Sequence, residues 1–293
     1  MSVTYEIVED VAFFLNHHVN GCVKKIMHNF ITSSSNCEEL PLWIYLQLKV
    51  KKYRYKDFPI YVMRRKNNIN AKKAILFLAG GGGMARPMFL HFDIVSKLAR
   101  DTGATVYFAY YPLAPEHNVI QALEWLEGVY RRIVNKHLVE DITIMGDSAG
   151  ANLTLSLINR VKNKPSKAIL VSPASGLEYG RNRDIRLAME HRDPLLTVEM
   201  NDLIAENWAR NVPLSSPDIS PEYICYKGFP RILLFCGTHE VFYPHNKKLI
   251  SKMKKEGAKA ETVIMPMCHD WALCRVFPEG KNAVIKMSDF ISM

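Results

Sequence analysis

A serine flanked by glycines, Gly146-Asp147-Ser148-Ala149-Gly150, follows an apolar stretch at 142–145 and precedes a helical pattern that opens at Asn152. A sharp turn from strand to helix pushes the central side chain out at the top of a sheet, and small residues two before and two after it keep that turn free of clashes. The helix N-terminus beneath favours negative charge, such as develops on an acyl oxygen under nucleophilic attack. The chemistry this spacing suits is therefore acyl transfer through Ser148. A tight structural turn with no chemistry is the plainer alternative.

The second chemical signal is Ala79-Gly80-Gly81-Gly82-Gly83, directly after the apolar run 74–78. Successive glycines leave backbone N–H groups uncovered, free to face an oxyanion. Glycine runs also cradle phosphate, but the Lys-[Ser/Thr] that completes such a loop is missing, since Met84 and Ala85 follow. A flexible loop without a ligand is the other alternative.

Both signals need a sheet beneath them, and the chain supplies one. Residues 47–55 alternate apolar and basic types, 60–63 is rich in β-branched and aromatic side chains, and 74–78 is continuously apolar, an order that suggests an antiparallel entry into a buried sheet. Short apolar runs at 105–109, 142–145, 168–171, 231–236 and 262–265 then alternate with helical patterns that include 88–100, 119–135 and 152–161. This rhythm builds an α/β fold with a mainly parallel sheet covered on both faces. It breaks between Ser172 and Pro230, where a helical pattern at 198–210 and a proline-rich return suggest an insertion above the sheet. Near the start, residues 11–31 carry an apolar stripe at helical spacing, the mark of an amphipathic helix, read as a lid, a membrane-surface anchor or a helix packed on its own core.

The glycine run, Tyr111-Pro112-Leu113-Ala114-Pro115-Glu116-His117, the serine motif with Ala151 and Asn152, and Asp193-Pro194-Leu195-Leu196-Thr197 together resemble the hormone-sensitive-lipase-like branch of the α/β-hydrolases. The resemblance runs from about Lys72 to the C-terminus, in the family's motif order. It implies an eight-stranded α/β-hydrolase sheet with a helical cap, and carboxylester hydrolysis without cofactor. It also implies that the oxyanion hole is formed by the amides of Gly81, Gly82 and Ala149. Two positions depart from the family pattern: Ala79 stands where the loop usually has histidine, and Pro112 replaces arginine. The family's histidine steadies the oxyanion loop, so this loop is either looser or held by another group.

A serine nucleophile needs a base and the base an orienting carboxylate, in the chain order Ser, acid, His. Four histidines follow Ser148: His191, His239, His245 and His269. His269 falls in a loop just past the strand pattern 262–265, at the sheet edge where active sites of open α/β sheets gather, and is the expected base. Glu240 lies just beyond the strand pattern 231–236, at the position the family fills with Asp or Glu, and is the expected acid. Asp270 ranks second, because neighbouring side chains tend to diverge. His239 and His245 are expected at the rim or in solvent, and Asp147 is given no catalytic step.

The composition fits this reading. With 293 residues, 48% hydrophobic and 23% charged, the chain can bury one large core, and disorder or a disulfide-stapled miniature is excluded. The excess of 38 basic over 29 acidic residues gives +9, spread in short clusters that suggest a solvated surface rather than a nucleic-acid partner. Six scattered cysteines (Cys22, Cys37, Cys225, Cys236, Cys268, Cys274) show no metal spacing, and with no signal peptide or membrane span in view a cytoplasmic location is expected. The division expected is N-terminal cap helices at 1–45, a hydrolase core at 46–175 and 222–293, and a cap insertion at 176–221. Phe13, Phe14, Phe30, Trp43, Leu195, Leu196 and Trp208 are its expected apolar pocket. The expected function is cleavage of small carboxylic esters with short to medium acyl chains through an acyl-enzyme. Amidase or deacetylase activity, a non-catalytic binding protein on the same scaffold, and a membrane-surface lipase are the rivals. Membrane docking is not favoured, and a homodimer is left open.

Overall fold

The computed structural model describes Ser2, Tyr5 and residues 38–67, 71–178 and 183–293. The helix expected at 11–31, with Phe13, Phe14 and Phe30, lies outside the described residues. Eight strands form one sheet: β1 (Leu48–Tyr55), β2 (Phe58–Arg65), β3 (Ala74–Leu78), β4 (Thr105–Ala109), β5 (Ile142–Asp147), β6 (Lys167–Val171), β7 (Arg231–Gly237) and β8 (Ala260–Met265). Their spatial order is β1-β2-β4-β3-β5-β6-β7-β8. β1 and β2 pair antiparallel, β2 meets β4 antiparallel, and every pairing from β4 to β8 is parallel.

The reason lies in the strand sequences. β3 (AILFL), β4 (TVYFA) and β6 (KAILV) are buried at every position, as a parallel strand covered on both faces must be. Successive residues then serve opposite cores: Leu76 and Leu78 enter one apolar cluster, Ile75 and Phe77 the other. β1 (LKVKKYRY) is mostly exposed at the sheet's edge. Its charged side chains discourage further strand pairing there.

Eight α-helices are described. One face is covered by α3 (Val119–Val134), α4 (Ser148–Arg160) and α7 (Tyr243–Lys255), the other by α1 (Leu42–Gln47), α2 (Phe89–Thr102) and α8 (Pro278–Ser292). Between β6 and β7 come α5 (Arg183–Glu190) and α6 (Val198–Ala209). They are joined through Asp202, which receives Arg183 Nε at 3.0 Å and the buried Arg186 Nη2 at 2.7 Å. No helix among the described residues is long and apolar enough to cross a membrane.

Candidate active site

Ser148 links β5 to α4 with φ of 49°, in the left-handed region that a non-glycine residue occupies only under constraint. The constraint is steric. A side chain at Gly146 would overlap the Gly150 carbonyl, and one at Gly150 would overlap the Leu78 carbonyl, so only glycine allows strands and helix to meet this closely. Helix α4 thus starts at the serine itself, four residues before the helical pattern in the sequence suggests.

The glycine loop lies alongside. Gly81, Gly82 and Gly83 have φ of 99°, 65° and 67°, values that glycine alone adopts freely. Tyr111 Oη donates to the Ala79 carbonyl at 2.6 Å, Ala114 N–H to the Gly83 carbonyl at 2.8 Å, and Gly80 N–H to Asp147 Oδ2 at 3.0 Å. The same Asp147 oxygen lies 3.0 Å from His91 Nε2, while His91 Nδ1 accepts from Met88 N–H at 2.8 Å. That second bond places the neutral ring's proton on Nε2, which therefore donates to Asp147. The loop that lacks the family's histidine is held by Tyr111 and by the Asp147–His91 pair. From above, α6 packs onto it: a Cβ on Gly82 would meet Ile204 Cδ1 at 2.9 Å, and one on Gly83 would overlap the Trp208 ring.

His269 and Glu240 sit on the loops after β8 and β7. His269 Nδ1 lies 2.8 Å from Glu240 Oε2. The other carboxylate oxygen of Glu240, a fully buried residue, accepts from Gly237 N–H and from Ser172 Oγ at 3.2 Å. His269 Nε2 makes no hydrogen bond, to Ser148 Oγ or to any other group, and lies 3.3 Å from Asp270 Oδ2. Asp270 has φ of 58° and donates its N–H to Ser172 Oγ at 3.1 Å. Burial pulls the His269 pKa down, but the charge of Asp270 and the hydrogen bond and charge of Glu240 outweigh it and raise the pKa to about 10. Burial pushes the Asp270 carboxyl well above the usual carboxylate range, against the pull of His269.

These residues share one cavity of about 490 Å³. Ser148, Ala149, Gly81, Gly82, His269 and Asp270 line it, and Glu240 stands behind His269. Leu195, Leu196 and Trp208 are on its wall as expected, whereas Trp43 packs on Phe89 with centroids 5.8 Å apart and is not on the wall. His245 is neither at the rim nor in solvent: it is buried beneath Gly176, where a side chain would overlap its ring. Asp193 is buried too, accepting from Leu195 and Leu196 N–H at 2.9 Å each and from Val241 N–H at 2.8 Å, which ties the start of α6 to the residue after Glu240. Among the described residues no group of three or more His, Cys, Asp or Glu side chains is placed to hold a metal ion.

Residues 75–273 match the family model Abhydrolase_3, described as alpha/beta hydrolase fold. The chain belongs to the alpha/beta hydrolase fold family. Within it, this hydrolase falls in the hormone-sensitive-lipase-like esterase and lipase branch. It is 28% identical over 233 residues to an esterase of Acinetobacter venetianus, covering 77% of this chain and 76% of that one. An esterase/lipase from an uncultured bacterium superimposes with a TM-score of 0.75 at 25% identity, over 92% of this chain and 97% of the other. An esterase from the bacterial hormone-sensitive lipase family shares the hydrolase's fold with a TM-score of 0.76 at 22% identity, over 92% and 97% of the two chains. The hydrolase is accordingly an enzyme of the carboxylesterase and lipase type.

Proposed function

We propose that this hydrolase cleaves small carboxylic esters of short to medium acyl chain length through a Ser148–His269–Glu240 triad. The observation that carries the reading is the 2.8 Å contact of Glu240 with His269 Nδ1, in a cavity that His269 and Ser148 both line. Ser148 Oγ attacks the ester carbonyl while its proton passes to His269 Nε2, and the alcohol leaves with that proton. Water then attacks the acyl-enzyme by the same proton route, releasing the acid and restoring the serine. Glu240 keeps the Nδ1–H tautomer and stabilises the imidazolium. The N–H groups of Gly81, Gly82 and Ala149 receive the oxyanion, and in this reading residues 176–221 form the cap that encloses the acyl group.

The test is covalent. A fluorophosphonate probe should label Ser148 and nothing in Ser148→Ala, and that substitution should lower kcat on p-nitrophenyl butyrate by about 10⁴ to 10⁶. Near-full turnover in Ser148→Ala would remove the triad. Esters of two to sixteen carbons would read the acyl preference, and indifference to length would count against an enclosed pocket.

A further inference from the structure

The cavity wall carries a single acidic side chain among the described residues, Asp270. The fold holds it there: its backbone is left-handed, which aspartate adopts only at a cost, and its N–H is fastened to Ser172 Oγ, the same hydroxyl that donates to Glu240. Asp270 Oδ2 faces His269 Nε2 at 3.3 Å, and Asp270 Oδ1 is buried with no hydrogen-bond partner.

Two difficulties meet at this residue. A buried carboxyl oxygen without a partner in an apolar enclosure is costly. In addition, Asp270 when ionised holds a proton on the nitrogen that must receive the one from Ser148. A cation in the cavity resolves both, because it pairs with Asp270 and repels the imidazolium proton, returning Nε2 to its basic form. The rest of the wall suits a cation, since the aromatic residues Tyr5, Trp208, Phe242, Trp271 and Phe277 line the same space.

We infer that Asp270 is the cation-recognising residue of the cavity, and that the preferred substrates are esters carrying a positively charged nitrogen near the scissile carbonyl. This inference rests on the esterase reading above. Asp270 is thereby a specificity-determining group that also governs whether His269 is free to act.

Butyrylcholine and 3,3-dimethylbutyl butyrate test it, as near-isosteric esters that differ in one charge. Wild-type kcat/KM should favour the cationic ester by at least about tenfold at low salt, and Asp270→Asn should bring the ratio close to one while raising turnover of the neutral ester. Binding of both esters to Ser148→Ala by calorimetry should show the same preference in Kd, lost in Ser148→Ala/Asp270→Asn. A wild-type ratio within about twofold of one, or a preference that survives Asp270→Asn, overturns the inference while leaving the esterase intact. If Asp270→Asn does not fold, the wild-type and Ser148→Ala ratios decide by themselves. A wild type that cleaves neither ester overturns the esterase reading, and the Ser148→Ala binding ratio still decides whether Asp270 recognises the cation.

Discussion

His91 Nε2 lies 3.0 Å from Asp147 Oδ2, and both side chains are almost fully buried. Through that one oxygen, α2 reaches the Gly80 amide and fixes the loop on which the proposed oxyanion donors sit. His91→Ala would leave a buried carboxylate one donor short. We expect a stability loss of about 1–3 kcal/mol and a fall in kcat of about ten- to a hundredfold with little change in KM. Thermal unfolding and steady-state kinetics read both, and an unaltered kcat would mean that the loop stands without α2.

Glu240→Gln replaces the charge that stabilises the His269 imidazolium with a neutral amide. A decrease of kcat of about 10⁴ is expected, with fold and fluorophosphonate-accessible cavity retained. A loss under about tenfold would shift the orienting role to another acid.

The base must be neutral to take a proton; burial draws the His269 pKa down, but Asp270 and then Glu240 outweigh it and raise the pKa to about 10. The sign follows directly: for a neutral ester, kcat/KM rises with pH along an acid limb lying well above the ordinary histidine value of 6.5. Asp270→Asn removes the foremost raising charge, so the limb moves to lower pH, with Glu240 and Asp193 still holding part of the shift. A pH-stat titration of ethyl butyrate hydrolysis measures it. A wild-type limb at the ordinary histidine value, or no movement in the variant, would contradict the assignment.

Gly83→Ala sets a methyl group into the Trp208 ring and keeps a positive φ that alanine resists. The expected cost is about 2–4 kcal/mol. Adding Trp208→Gly should restore part of that stability, because the clash is removed even though the ring's packing is lost. Additive effects in the double variant would show that α6 does not bear on the loop.

Asp193→Ala strands three buried amides, those of Leu195, Leu196 and Val241. Its carboxyl is raised to about 6, by burial above all, with His269 and the three backbone donors pulling the other way. A drop of several degrees in Tm is expected, at about 2–4 °C per kcal/mol for a chain of this size. Slower turnover should accompany it, since Val241 adjoins Glu240. A variant with unchanged Tm would disprove the tie.

What the sequence made legible was set by local chemistry. The strands β3 and β4 are read with their ends correct, because short apolar runs rich in β-branched and aromatic residues suit a doubly covered strand. The serine turn and the glycine loop are legible because glycine is the one residue their backbones admit. α7 reads as a cluster of lysines, since only Leu249, Ile250 and Met253 break its polar pattern with apolar burial. His91 gives no sign in the sequence of its long-range partner: besides accepting from Met88 N–H at the start of α2, it reaches Asp147 only once α2 packs on the sheet. Asp270 is visible as a candidate acid, yet its left-handed backbone, which sequence does not announce, turns it to the nitrogen opposite the one Glu240 holds.

Helix α6 meets the glycine loop through Ile204 and Trp208, which also line the cavity beside Met200, Asn201 and Ala205. Engineering a roomier enzyme by trimming those side chains therefore loosens the very amides meant to receive the oxyanion. Broader acceptance and swift turnover trade against each other at two positions of one helix, and variants selected for bulky esters should need compensating changes beneath the loop.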